Sequence, residues 1–118
     1  MVKTFEDLFI WQESRRLVNE IYKMMDGHRD YGFREQIQRA AVSIMNNIAE
    51  GFDSGSPAKF SNFLDISKGS CSEVRSMLYL CEDLGLCNVQ RRTELQNITK
   101  QISSGIVNLI SHIQKEKK

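Results

Sequence analysis

Four polar side chains recur along "QRAAVSIMNNIAEGFDSGSP", residues 38–57: Arg39, Ser43, Asn47 and Glu50, at spacings of four, four and three. A guanidinium, a hydroxyl, an amide and a carboxylate in one row can hold an anion, bind a partner or satisfy one another. Glu50 and the later Glu73 together supply two carboxylates, the pair that general acid–base chemistry uses. Other chemistries find less in the chain. The two histidines, His28 and His112, have no companion at metal-ligand spacing. Cys71, Cys81 and Cys87 form no CxxC pair, and an odd count suits reduced thiols in a reducing compartment. The loop "GFDSGSP" lacks the Lys-Ser/Thr ending of a phosphate loop and reads as a turn. No serine, histidine and acid are grouped as an activated nucleophile. The expectation is no catalytic residue, no metal and no cofactor, with Glu50 and Glu73 in structural ion pairing.

Helices must position that row. The first run covers about residues 5–26, where Thr4 and Asp7 resemble a capping box and Gly27 is a plausible stop. Leu8, Trp11, Val18, Tyr22 and Met25 form its seam, widened by Ile10, Leu17 and Ile21. A second run covers about 33–50, with Ile37, Ala41, Ile44 and Ile48 inward and Gly51 closing it. Ser56 followed by Pro57 is an N-cap with proline at the first helical position. The third run therefore spans about 57–84, ended by Gly85, and a fourth spans about 89–114, capped by Asn88. Its inward positions are Leu95, Ile98, Ile102, Ile106, Leu109 and Ile113, and the tail "KEKK" reads as frayed. Nothing reads as a strand. Short loops between long helices make neighbours antiparallel, so the predicted fold is an all-α, up-down-up-down four-helix bundle in one domain, residues 1–118.

The third helix carries two seams. Phe60, Leu64, Ser67, Cys71, Val74, Leu78 and Cys81 keep a four-three alternation, and so do Ile66, Ser70, Glu73, Met77, Leu80 and Leu84. The two lie roughly 100° apart on the helix. Either both face the chain's own core, or part of the second belongs to another subunit. Glu73 sits inside that second seam, where an unpaired carboxylate is costly. Arg39 is the expected partner, with Asn47 and Ser70 filling the remaining hydrogen-bond sites. The alternative is that Arg39, Ser43, Asn47 and Glu50 simply face water.

Composition sets the outer limits. Hydrophobic content of 41% and charged content of 26% are ordinary for a globular domain of 118 residues. Sixteen basic against 15 acidic residues leave a formal charge of +1, which argues against nucleic-acid binding through a global field. Local clusters remain: Arg15 with Arg16, Arg91 with Arg92, and the tail Lys115, Lys117 and Lys118, each with acids nearby. No run approaches the roughly 18 apolar residues of a membrane span, and the acids in "MVKTFEDLFIW" do not fit a signal peptide. A cytoplasmic protein is expected.

Three stretches together resemble one family. "FEDLFIWQESRRL" is similar to its first-helix signature around a tryptophan, "QIQRAAVSIMNNIAEG" to its most characteristic segment, and "FSNFLDISKGSCSEV" to its third-helix pattern. By these the chain is identified as a member of the bacterial 23S rRNA intervening-sequence proteins, also labelled S23 ribosomal proteins, to which accessory proteins of diversity-generating retroelements are related. The resemblance runs from about Lys3 to Ile113. It implies a small cytoplasmic four-helix bundle, a homopentameric ring and a connection to nucleic acid. Its marked residues fall on Trp11, Arg39, Ser43, Asn47, Glu50, Gly51, Phe60, Gly69, Ser70 and Glu73. Met45 stands where many members carry a proline, and the near-neutral charge departs from the basic retroelement accessories. Two functions stay open: an oligomeric module with Arg15, Arg16, Arg91 and Arg92 as candidate contacts to RNA or DNA, or a homopentameric scaffold for a protein partner. Scattered alternating charge favours the scaffold, a continuous basic surface the nucleic-acid module.

Overall fold

Gly27, Gly55 and Gly85 have φ of 74°, 73° and 76°, and each sits in one of the three interhelical turns. Only glycine enters that left-handed region at little cost, so these positions fix where the chain reverses. Between them, the computed structural model describes residues 1–116 as four helices: α1 Phe9–Met25, α2 Tyr31–Asp53, α3 Pro57–Asp83 and α4 Val89–Glu116. Lys117 and Lys118, part of the tail cluster read from the sequence, lie outside the described residues. Helices adjacent in sequence pack together and α4 closes back on α1, leaving α1 and α3 on opposite corners of an elongated bundle, 49 × 23 × 21 Å. The fold is the expected all-α four-helix bundle.

Capping explains most boundaries. Ser56 accepts from the Lys59 amide with Pro57 in the first turn, and Asn88 Oδ1 accepts from the Arg91 amide at 2.8 Å. At the end of α3 the Gly85 N–H donates to the Glu82 carbonyl and the Leu86 N–H to the Cys81 carbonyl. This is a Schellman stop, in which glycine lets the chain bond back onto the last turn. Two boundaries differ from the sequence reading. Thr4 and Asp7 cap a short 3₁₀ turn, Phe5–Asp7, and α1 starts only after Leu8. Asp30 caps α2 at the Phe33 amide, and the helix runs straight through Met45 and Gly51 to Asp53. Gly51 is buried, and a Cβ placed there would lie 2.8 Å from Phe63 Cβ and 2.9 Å from Phe60 Cδ1. Its role is close helix packing rather than termination.

The core collects the expected stripes of α2, α3 and α4: Ile37, Ile44 and Ile48, then Leu64, Val74 and Leu78, then Leu95, Ile102 and Ile106, all fully buried. The first helix corrects the sequence reading. Leu17, Ile21 and Met25 are fully buried and Ile10 nearly so, whereas Trp11 and Val18 are half-buried and Tyr22 is exposed. The buried face passes through Ser14, whose hydroxyl donates to the Ile10 carbonyl at 2.6 Å. The row expected only to widen the seam is thus its centre, and the serine within it is tolerated because the helix backbone absorbs its polarity.

Candidate functional site

The polar row of α2 splits along its length. At about 100° per residue, Ser43 and Asn47 lie roughly 40° and 80° round from Arg39. The last step of three brings Glu50 back to about 20°, so the middle of the row and its ends face different ways. At its centre it turns toward α3, where the Ser43 and Ser70 hydroxyls are 2.9 Å apart. Asn47 donates to the Ser43 carbonyl at 2.8 Å and to its hydroxyl at 3.0 Å. One step deeper, buried Ser67 donates to the Ile44 carbonyl at 2.7 Å. These bonds join α2 and α3 through small side chains that fit between closely packed helices.

At the ends the row leaves the contact. Arg39 pairs with Glu35 of its own helix, and the two side chains are 76% and 68% exposed. Glu73 accepts only from the Gln36 amide, at 3.4 Å, and is itself exposed. The expected Arg39–Glu73 pair is therefore absent from the single chain. Its premise was a buried carboxylate, and Glu73 stays in water because the second seam of α3 turns away from the core. Glu50 is also exposed and lines a separate open groove of about 700 Å³ with Asp53, Lys59 and Phe63. Glu50 and Glu73 belong to different surface hollows, so they do not form an acid–base pair.

The arginine clusters are brought together with acids rather than left free. Arg91 of α4 pairs with Glu20 of α1 and with Glu94, the latter at 3.0 Å. Arg92 pairs with Glu82 of α3, donates to Gln96 Oε1 at 2.8 Å and lies 4.8 Å from the Tyr79 ring centroid. The buried Gln96 then donates to the Arg75 carbonyl at 3.0 Å. Together these contacts pin the start of α4 to α1 and α3. The sequence showed two adjacent arginines but not the carboxylates that the fold would bring to them from residues 20 and 82. Arg16 pairs with Glu13 at 3.1 Å, and the Arg15 guanidinium lies 5.9 Å from the Trp11 ring centroid.

Thiols offer no reactive group. Burial pushes the Cys71 thiol up to about 11 and the Cys81 thiol to about 12, so both stay protonated and inert near neutrality. Cys87, less buried, is raised in the same direction and for the same reason. The carboxyl of Asp7 is held low by the backbone N–H groups of Lys3 and Thr4, which is the work of a cap. Among the described residues no three His, Cys, Asp or Glu side chains stand close enough to share a metal ion, and none of their helices is long and apolar enough to cross a membrane.

Apolar side chains also stand exposed. On the outer seam of α3, Ile66, Leu80 and Leu84 are 54%, 49% and 52% exposed, while Met77 between them is buried. The fold is an antiparallel four-helix bundle with these apolar residues exposed along one side of α3. Residues 6–108 match the family model described as 23S rRNA-intervening sequence protein, and the chain belongs to that family. It is also similar in fold to a crystal structure of a protein of unknown function from the S23 ribosomal protein family of Bacteroides thetaiotaomicron VPI-5482. That similarity has a TM-score of 0.78 at 23% identity and covers 86% of this chain and 97% of that one. A search among curated proteins finds no match.

Proposed function

We propose that this chain is a non-catalytic, self-assembling scaffold: a homo-oligomeric ring, five-membered as the family resemblance implies, that serves a protein partner. The observation that carries this reading is the half-open stripe Ile66, Leu80 and Leu84 on a helix whose other seam already fills the core. Leu80 and Leu84 stand one turn apart, and an exposed apolar patch on a small domain marks a protein-binding face. The charge pattern supports the same reading. Arg16, Arg39, Arg91 and Arg92 each stand against a carboxylate, so positive charge is scattered among acids.

A weak affinity for RNA or DNA is the second reading, favoured by the rRNA-linked description of the family. Arg91 and Arg92 would have to leave Glu20, Glu82 and Glu94 to reach phosphates, which limits the gain. Light scattering at micromolar concentration should give a mass several times 13.6 kDa. Labelled RNA titrated at rising salt should show binding that is absent or fades by physiological salt, since each phosphate contact adds to the salt slope. A monomer throughout would reject the scaffold. Tight binding that survives physiological salt would make the nucleic-acid reading the better one.

A further inference from the structure

The outer seam of α3 has a counterpart on α1. Trp11, Arg15, Val18 and Tyr22 follow at spacings of four, three and four, the alternation of a packing seam. Yet the core is filled by the neighbouring row of Ile10, Leu17, Ile21 and Met25. Trp11 and Val18 are only half-buried, and Arg15 and Tyr22 are exposed. Resting on the assembly reading above, we propose that the α1 row of one copy packs along the outer α3 seam of the next, with Arg15 against Glu73.

Charge is the first support. Neither residue has an ion pair among the described residues: Arg15 rests near the Trp11 ring, and Glu73 holds only the Gln36 amide. Each would supply the counter-charge the other lacks. This gives Arg15 a protein contact in place of a phosphate.

Height along the bundle is the second and independent support. A closed ring relates copies by rotation without translation, so with its axis along the bundle, contacting residues must lie level. The Cys71 thiol stands beside Ser103, which on antiparallel helices sets Gly105 level with Gly69. A Cβ on Gly105 would meet Ile10 Cγ2 at 2.5 Å, so Ile10 is level with both. Counting upward at about 1.5 Å per residue, Arg15 lies about 7.5 Å above that level and Glu73 about 6 Å. The same count brings Trp11 to Ser70, Val18 to Met77 and Tyr22 to within a residue of Leu80. All four matches fall on the outer seam. Gly69 has nothing within 4 Å of where its Cβ would be, which leaves room for the indole. Each copy carries one α1 row and one outer α3 seam, two different surfaces, so contact between them is heterologous.

A charge exchange tests the contact. Arg15→Glu and Glu73→Arg should each weaken assembly at least tenfold, read as the concentration at which mass falls to that of one chain. The double variant should recover most of that loss, with helicity unchanged by circular dichroism in all three. Assembly undisturbed by either single variant, or no recovery in the double, would overturn the contact while leaving the scaffold reading standing. A wild-type chain that is monomeric would overturn both.

Discussion

Two seams run along α3 with the same four-three spacing and opposite surroundings. Leu64, Val74, Leu78 and Cys81 of the inner seam are fully buried, whereas Ile66, Leu80 and Leu84 of the outer seam are about half open. Their polar members differ in the same way. Ser67 is buried and bonded to a carbonyl of α2, while Glu73 stands in water with one long contact to Gln36. Periodicity reports which residues share a face, and the rest of the chain decides whether that face finds a neighbour.

The largest expected effect separates the seams directly. Leu78→Ala leaves a cavity in a fully buried site and should cost about 2–5 kcal/mol in urea unfolding. Leu80→Ala should cost the isolated chain no more than about 0.5 kcal/mol, as at other exposed sites. Equal losses would erase the distinction between the two faces.

Next in size is the close approach of α2 to α3. Gly51→Ala forces Cβ against Phe63 Cβ, an atom fixed to its backbone, so the helices must part. Overpacking costs about 1–3 kcal/mol, while alanine in a helix gains about 0.5–1 kcal/mol over glycine. A net loss of about 1–2 kcal/mol is expected by thermal denaturation. A gain would mean that the helices yield there.

Alkali should strike the inner seam selectively. Cys71 and Cys81 have thiol pKa values raised from 9.0 to about 11 and about 12 by burial. A raised folded value means their contribution is intact below pH 9 and is lost as pH rises through 11–12, because the unfolded chain ionises first. Unfolding free energy should fall across that window. Cys71→Ala should flatten the fall, and an unchanged slope would show that other groups govern it.

The smallest effects belong to the exposed charges. Arg39→Ala removes a solvent-exposed pair within one helix and should cost about 0.3–0.5 kcal/mol. Glu73→Ala should be similarly small in the monomeric chain, where a buried Arg39–Glu73 pair would have cost about 3–5 kcal/mol. A large loss in Glu73→Ala at concentrations that prevent assembly would restore the buried pair.

Much of the bundle was legible because turn chemistry and stripe agree: Ser56-Pro57 opens α3, Gly85 ends it, and the isoleucines of α2 and α4 lie inward as their spacing requires. The misreadings arise where a residue answers to tertiary packing. Gly51 looks like a stop, but it is the point where Phe60 and Phe63 come against α2. Ser14 interrupts the apolar pattern of α1 while lying in its buried face. At the candidate site, Ser43, Asn47 and Ser70 bond among themselves and not to Arg39 or Glu73, the pair they were expected to serve. Pairings across long sequence separations, such as Arg91 with Glu20, leave no local signal for spacing to report.

Assembly as proposed depends on the outer seam of α3 lying between copies. Sedimentation velocity of the wild-type chain beside an Ile66→Asp/Leu80→Asp variant tests that most directly. The expected result is a multimer of the 13.6 kDa chain that becomes a folded monomer when the two charges are introduced. A wild-type monomer, or a multimer that the double substitution leaves intact, would contradict it.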